Sequence, residues 1–331
     1  MMAHIPVMLD EVVKYLAPVD GDAILDGTFG GGGYAQAILA KADCDLLAVD
    51  RDPDALARMR AMAADAPRLK PIPGQFGDME TLARDAGFDA VDGVVLDLGV
   101  SSFQLDEAER GFSFMRDGPL DMRMGGDGPS AADVVNHAPA ASLISVIAKL
   151  GEEPKARRIA NAIVARRGDA VFERTLDLAD TIETALGGRR GAKTHPATRV
   201  FQALRMFVND ELGELARGLR AAERLLRAGG RLVVVTFHSL EDRIVKNFLR
   251  DRAGLAGGGS RHAPERADGP PASFELLARR AIAVSDEEAT SNPRARSSKL
   301  RAARRTNAPA FPMGVAEDFG LPPLSIAEAS S

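Results

Sequence analysis

The sequence predicts an α/β protein built on a doubly wound parallel sheet, and three observations carry that prediction. Short apolar runs alternate with helical stretches from Ala23 to Asp97. Three of those runs stop at an aspartate, namely Asp26, Asp50 and Asp97. The first run also opens directly into a glycine string, Gly30-Gly31-Gly32-Gly33. Apolar runs separated by helices are parallel strands buried on both faces and joined by right-handed crossovers.

In chain order, Ala23 to Leu25 is the first strand and Tyr34 to Ala40 the helix after it. Leu46 to Val49 is the second strand, followed by a helix over Asp54 to Ala64. Leu69 to Ile72 and Val91 to Leu96 are the third and fourth strands. From Phe103 to Gly128, glycine, proline and charge predict a loop. Ser130 to Leu186 reads helical throughout, with Ile159 and Ile163 marking one face at i, i+4. A long amphipathic helix follows through Phe201, Leu204, Val208, Leu212, Leu215 and Leu219. Its apolar stripe suits a core or the interface of a homodimer. Gly229-Gly230 stops that helix, and Arg231 to Phe237 returns to strand composition. A helical domain over residues 106–205 is therefore expected between the fourth and fifth strands of a sheet domain formed by 1–105 and 206–331. The Gly254 to Pro271 segment, rich in Gly, Pro and charge, is expected to be a mobile loop.

Hydrophobic residues make up 45% of the 331 and charged residues 27%, which excludes a disordered chain. The single Cys44 excludes an internal disulfide framework and fits a reducing compartment. No stretch has the composition of a signal peptide or is apolar enough to span a bilayer, so a cytoplasmic protein with no membrane partner is expected. The net charge of −5 speaks against a nucleic-acid partner, but the charge is unevenly placed. Lys155 to Arg167 carries five basic residues and no acidic one. Arg189 to Asn209 holds Arg189, Arg190, Lys193, Arg199 and Arg205, and Arg294 to Arg305 carries six basic residues, again without an acid. One such cluster is ordinarily a solvated helix face; three in an acidic protein point to a phosphate-binding surface.

The glycine string lies between a strand and a helix. Glycines there let the backbone pass close to a ligand, and the helix N-terminus offers unpaired N–H donors. Asp50 ends the next strand, where a carboxylate accepts the hydroxyls of an adenosine ribose. Gly30, Gly32 and Ala35 also fit a dinucleotide fingerprint, so an oxidoreductase using a nicotinamide or flavin dinucleotide competes. Asp26 before the loop and Asp97 at the fourth strand end tip the balance. Carboxylates repel a pyrophosphate and attract a sulfonium and an ammonium, which favours S-adenosyl-L-methionine.

The strings Leu25 to Gly33 and Ala48 to Pro53 resemble the first motifs of the RsmH family, also called MraW. Asp97-Leu-Gly-Val-Ser-Ser102, Arg110 to Phe114 and Pro119 to Met124 continue the resemblance. So do His195 to Arg199, Phe201 to Arg205, Ser239 to Arg243 and Asn292 to Arg296, in family order over almost the whole chain. The resemblance implies a Rossmann-like class I methyltransferase sheet with an inserted helical substrate-recognition domain. It implies methyl transfer from S-adenosyl-L-methionine to N4 of a cytidine in the decoding region of bacterial small-subunit (16S) ribosomal RNA, within the assembled 30S particle. It also implies cofactor contacts at Gly32, Gly33, Tyr34, Asp50, Phe76, Asp97 and Gln104. Tyr34 stands where the family usually has His, and Phe103 where it usually has Pro.

The exocyclic amine of cytosine is a weak nucleophile and the donor a strong electrophile, so alignment with an acceptor for the amine hydrogens suffices. Asp97, or the Leu98 to Ser102 backbone beside it, is placed for that; cofactor binding is the competing role for Asp97. Phe112, Phe114, Phe237 and His238 are the candidates to stack on an extracted base, against ordinary burial. No metal site is expected, because the His residues are scattered and the acids near His238, Glu241 and Asp242, suit capping or pairing with Arg243. A non-catalytic assembly factor retaining the fold is the remaining alternative, opposed by the intact Asp26, Asp50 and Asp97.

Overall fold

In a computed structural model of the chain, the described residues are 6–189, 191, 194–255, 270–312 and 319. They divide into two compact units, one containing the residues up to Gly99 and from Leu212 on, the other Val100–Glu211.

The first unit is the sheet unit. Its strands are β1 (Ala23–Asp26), β2 (Asp45–Asp50), β3 (Leu69–Pro73), β4 (Val91–Asp97), β5 (Leu226–Thr236), β6 (Phe274–Leu276), β7 (Ile282–Ala283) and β8 (Lys299–Arg305). They form one sheet in the order β3-β2-β1-β4-β5-β8-β6, with β7 also paired to β8. The first five strands are mutually parallel, and β8 closes antiparallel on β5. All four residues of β1 are buried, as a strand covered on both faces requires. The helices of this unit are α1 (Leu9–Leu16), α2 (Gly33–Lys41), α3 (Pro53–Asp65), α4 (Met79–Asp85), α11 (Glu211–Leu225), α12 (Ser239–Arg252) and α13 (Asp286–Ser291). Local sequence explains their starts. Asp52 caps α3 with its side chain on the Asp54 N–H and Pro53 behind it, and His238 with Glu241 forms the reciprocal cap of α12. A core of Val12, Leu16, Ile38, Leu46, Val95 and Val233 fills one layer. Cys44 is buried there as a free thiol.

The second unit is helical, with α5 (Ser102–Asp106), α6 (Ala131–His137), α7 (Ala140–Lys149), α8 (Ala156–Asp169), α9 (Thr175–Leu186) and α10 (Thr198–Val208). Ile159, Ile163, Phe172, Leu178, Ile182 and Leu204 are among its core residues. The expected loop after Phe103 begins instead with α5 and a short 3-10 turn, and its remainder is tied down by backbone bonds. Leu120 N–H donates to the Glu173 carbonyl at 2.8 Å, and Gly118 N–H to Thr175 Oγ1 at 3.0 Å.

Two expectations need correction. The single helix through residues 201–219 is two helices, α10 and α11, separated at Asn209–Asp210, where Asp210 adopts φ 47°. The buried Asn209 side chain holds this break through its Nδ2 to the Met122 carbonyl at 2.7 Å and its Oδ1 to the Met124 N–H at 2.8 Å. Second, α11 stops at Leu225, before Gly229-Gly230, and β5 starts at Leu226, where it already pairs with Val91. Most of the expected mobile loop, together with Arg190 and Lys193, lies outside the described residues. Among the described residues no helix is long and apolar enough to cross a membrane.

Candidate active site

β1, β2 and β4 each end in an aspartate at the carboxyl edge of the sheet. The register pairs Asp26 with Ala48 on one side and Val95 on the other, and Asp97 with Val235. The order of strands reverses between β1 and β4, so their loops diverge and leave a crevice at the strand ends.

The loop after β1 is fixed from both neighbours. Thr28 N–H donates to Asp26 Oδ1 at 3.0 Å, while Thr28 Oγ1 accepts the Asp97 N–H at 2.6 Å. Gly32 adopts φ +78°, and a Cβ there would stand 2.7 Å from the Phe29 ring, which folds beneath the loop. A Cβ on Gly33 would stand 2.1 Å from Pro6 Cγ. The loop glycines thus make room for Phe29 and the chain before α1, neither of which local sequence pattern reveals. Asp50 holds the far side: its Oδ2 accepts the Gly30 N–H at 2.8 Å and its Oδ1 the Asp52 N–H at 2.9 Å. The carboxylate also accepts the Arg51 N–H, and its remaining acceptor capacity suits a hydroxyl.

Asp26 and Asp97 are electrostatically unusual. Asp26 Oδ2 and Asp97 Oδ1 are buried without a hydrogen-bond partner. Burial, with Asp50 nearby, pushes the Asp26 carboxyl up to about 7. Burial, reinforced by Asp26 and Glu241, holds Asp97 well above the usual carboxylate range. Tyr34 is buried at the start of α2, and its hydroxyl meets both the Val7 carbonyl and the Asp97 carboxyl. Burial, with Asp97 close by, keeps the phenol neutral. A phenol has one proton to give; when Val7 takes it, Asp97 must supply the proton of the second bond, in keeping with its raised pKa. Two buried acids with unpartnered oxygens fit a ligand carrying positive charge and oppose a pyrophosphate. They therefore fit the sulfonium and ammonium of S-adenosyl-L-methionine.

Phe76 follows β3 in a 3-10 turn (Phe76–Asp78), half-buried, with its Cβ 3.0 Å from the position a Gly27 side chain would occupy. The first unit thus gathers Gly32, Gly33, Tyr34, Asp50, Phe76 and Asp97 around its strand ends. Gln104 belongs to the second unit, where it is buried and caps α5 by accepting the Ser101 N–H at 2.9 Å.

The aromatic candidates separate as well. Phe112 is buried in the helical core, and Phe114 packs on His195 and Phe201 with ring centroids 4.6 and 4.7 Å apart. Phe237 and His238 stay half-buried at the end of β5. Glu241 fixes that turn by accepting the Phe237 N–H at 2.8 Å, and Asp242 takes Arg301 at 2.7 Å and Lys299 at 3.2 Å. Several arginines of the basic clusters are committed to structure. Arg166 pairs with Asp177, Arg205 with Glu211 and Arg304 with Glu275, and Arg305 is buried against backbone carbonyls. Lys155, Arg157 and Arg158 are exposed on and just before α8.

The family model described as the MraW methylase family matches residues 1–306. Among curated relatives, a Ribosomal RNA small subunit methyltransferase H of Hyphomonas neptunium is 62% identical over 99% of this chain and 96% of its own length. Relatives of the same name from Parvibaculum lavamentivorans and Caulobacter vibrioides are 60% and 59% identical, over 95% and 93% of this chain and 92% and 97% of their own lengths.

Proposed function

The chain belongs to the MraW methylase family of S-adenosyl-L-methionine-dependent methyltransferases, and from that premise we propose that it methylates N4 of a cytidine in the decoding region of 16S ribosomal RNA within the 30S particle. The observation that carries the donor half of this reading is the pair of buried acids at the crevice, each with one carboxyl oxygen that has no partner. Small-subunit ribosomal RNA as acceptor is supported by the relatives' shared name, and cytosine N4 by the resemblance that the motif strings carry.

When bound, S-adenosyl-L-methionine supplies a methyl group activated by its sulfonium. Asp50 would accept ribose hydroxyls, Phe76 would face the adenine, and the Gly32–Tyr34 backbone and Asp26 would receive the methionine end. Positive charge brought to the crevice lowers the pKa of Asp97 and returns it to a carboxylate. In that form it accepts hydrogens of the exocyclic amine, holding the nitrogen lone pair on the methyl. Phe237 and His238, held by Glu241, stack on the extracted base. The helical unit binds RNA phosphates through Lys155, Arg157 and Arg158.

The test is to incubate the protein with S-adenosyl-L-methionine and small subunits lacking the modification, then analyse the nucleosides. N4-methylcytidine is the expected product. A different methylated nucleoside would contradict the cytosine-N4 assignment, and no product from a chain that binds the donor would favour the assembly-factor alternative.

A further inference from the structure

Helix α11 carries a carboxylate and a glycine that no part of the reaction accounts for. Glu214 is almost fully buried, with Oε2 3.1 Å from the Arg51 guanidinium. Its carboxylate also accepts the backbone N–H groups of Phe76 and Gly77. One side chain therefore clasps the loop after β2, immediately beyond Asp50, and the loop after β3, which carries Phe76. One helical turn along the same face, Gly218 meets the Phe76 ring. A Cβ at position 218 would stand 2.5 Å from Phe76 Cδ2, so the ring lies flush on the helix backbone. Gly77 is close-packed in turn, with 3.2 Å between its would-be Cβ and Glu214 Cγ.

Such an arrangement is costly unless it fixes something. A buried carboxylate loses hydration, and here burial raises the Glu214 pKa even though Arg51, the Gly77 and Phe76 N–H groups and Arg217 all pull it down. A hydrophobic side chain would fill the space without that loss. What the carboxylate provides is a fixed spacing between the Asp50 loop and the Phe76 loop. Gly218 sets the plane of the ring from behind.

We infer that Glu214 is a positioning residue for the adenosine end of the cofactor, holding the Asp50 and Phe76 loops at the separation of a ribose and an adenine, with Gly218 as the seat of the Phe76 ring. This rests on the proposed donor site. It adds α11, far along the chain from the glycine loop, to the determinants of adenosine affinity.

Calorimetric titration of the full chain with S-adenosylhomocysteine and with 5′-methylthioadenosine, which lacks the amino-acid end, tests it. Glu214→Ala is expected to weaken both ligands by the same factor, about tenfold. KM for the methyl donor should rise in step, while kcat at saturating donor stays within about twofold. Glu214→Gln keeps an oxygen for the Phe76 and Gly77 N–H groups and is expected to restore most of the affinity. Gly218→Ala, which pushes the ring without touching the carboxylate, should reproduce the loss in both ligands and decides the matter if Glu214→Ala fails to fold. Unchanged affinity in Gly218→Ala and in a folded Glu214→Ala, loss confined to S-adenosylhomocysteine, or a fall in kcat with affinity intact would each overturn the inference. Failure of the unmodified chain to bind either ligand would instead overturn the donor site itself.

Discussion

Asp26 is enclosed at the end of β1 with one carboxyl oxygen unpartnered, and burial raises its pKa to about 7. The sign of the consequence is fixed by linkage: a folded-state pKa above the unfolded one stabilises the empty protein at low pH, and that stability is lost as pH rises toward 7. A rise from 3.8 to about 7 corresponds to about 4 kcal/mol at neutral pH and above. Asp26→Asn is therefore expected to raise the melting temperature of the ligand-free chain at pH 8 and to leave it nearly unchanged at pH 4. Ligand binding has the opposite slope. A cation prefers ionised acids, so affinity for S-adenosyl-L-methionine should increase as pH rises toward 7, by up to about tenfold per pH unit for each proton released, with Asp97, Asp50, Tyr34 and Glu241 as the neighbouring titratable groups. Titration across this range checks both expectations. These acids were legible in the sequence because each ends an apolar run. Glu214 and Gly218 were not: 164 positions separate Asp50 from Glu214 (214 − 50), and no local pattern marks a carboxylate that bonds so far away.

Among the elements, strands β1 to β4 were legible because burial on both faces demands continuous apolar runs, and so were α2 and α3 between them, whereas α4 was not. β8 was not, since Lys299, Arg301, Arg304 and Arg305 leave no such run; it is a strand because it pairs along β5 from Arg231 to Thr236. The split between α10 and α11 was hidden for a different reason. Apolar spacing runs on through the break, while the cause lies in Asn209, whose bonds reach back to Met122 and Met124. Asn209→Ala leaves the Met124 N–H and the Met122 carbonyl without these partners in a buried setting. It should destabilise the helical unit by about 2–3 kcal/mol, read as a lower denaturation midpoint. Asn209→Asp keeps the acceptor but turns a carboxylate oxygen on the Met122 and Arg205 carbonyls, and should lose no less.

At the scale of the whole molecule, a chain of net charge −5 is proposed to meet a polyanion, and although most described residues of its basic clusters are exposed, several of their arginines pair with acids of neighbouring elements. The exposed Lys155, Arg157 and Arg158 are the residues on which the proposed RNA contact rests. A double Arg157→Ala, Arg158→Ala variant should raise KM for small subunits. It should also reduce the salt dependence of their binding by about one to two in log–log slope, roughly one for each phosphate no longer neutralised. Donor affinity, measured separately, should not change. Strand-like runs cease between Asp97 and Arg231, and that compositional change is the basis on which a helical segment was expected there.

The central claim is that the acidic strand ends of the sheet receive a cationic methyl donor. Calorimetric titration of the protein with S-adenosyl-L-methionine, and separately with a nicotinamide dinucleotide, tests it most directly. One S-adenosyl-L-methionine is expected per chain, bound with proton release at pH 6.5, about half a pH unit below the Asp26 value of about 7. The dinucleotide is expected not to bind. Dinucleotide binding in the absence of S-adenosyl-L-methionine binding would contradict the claim.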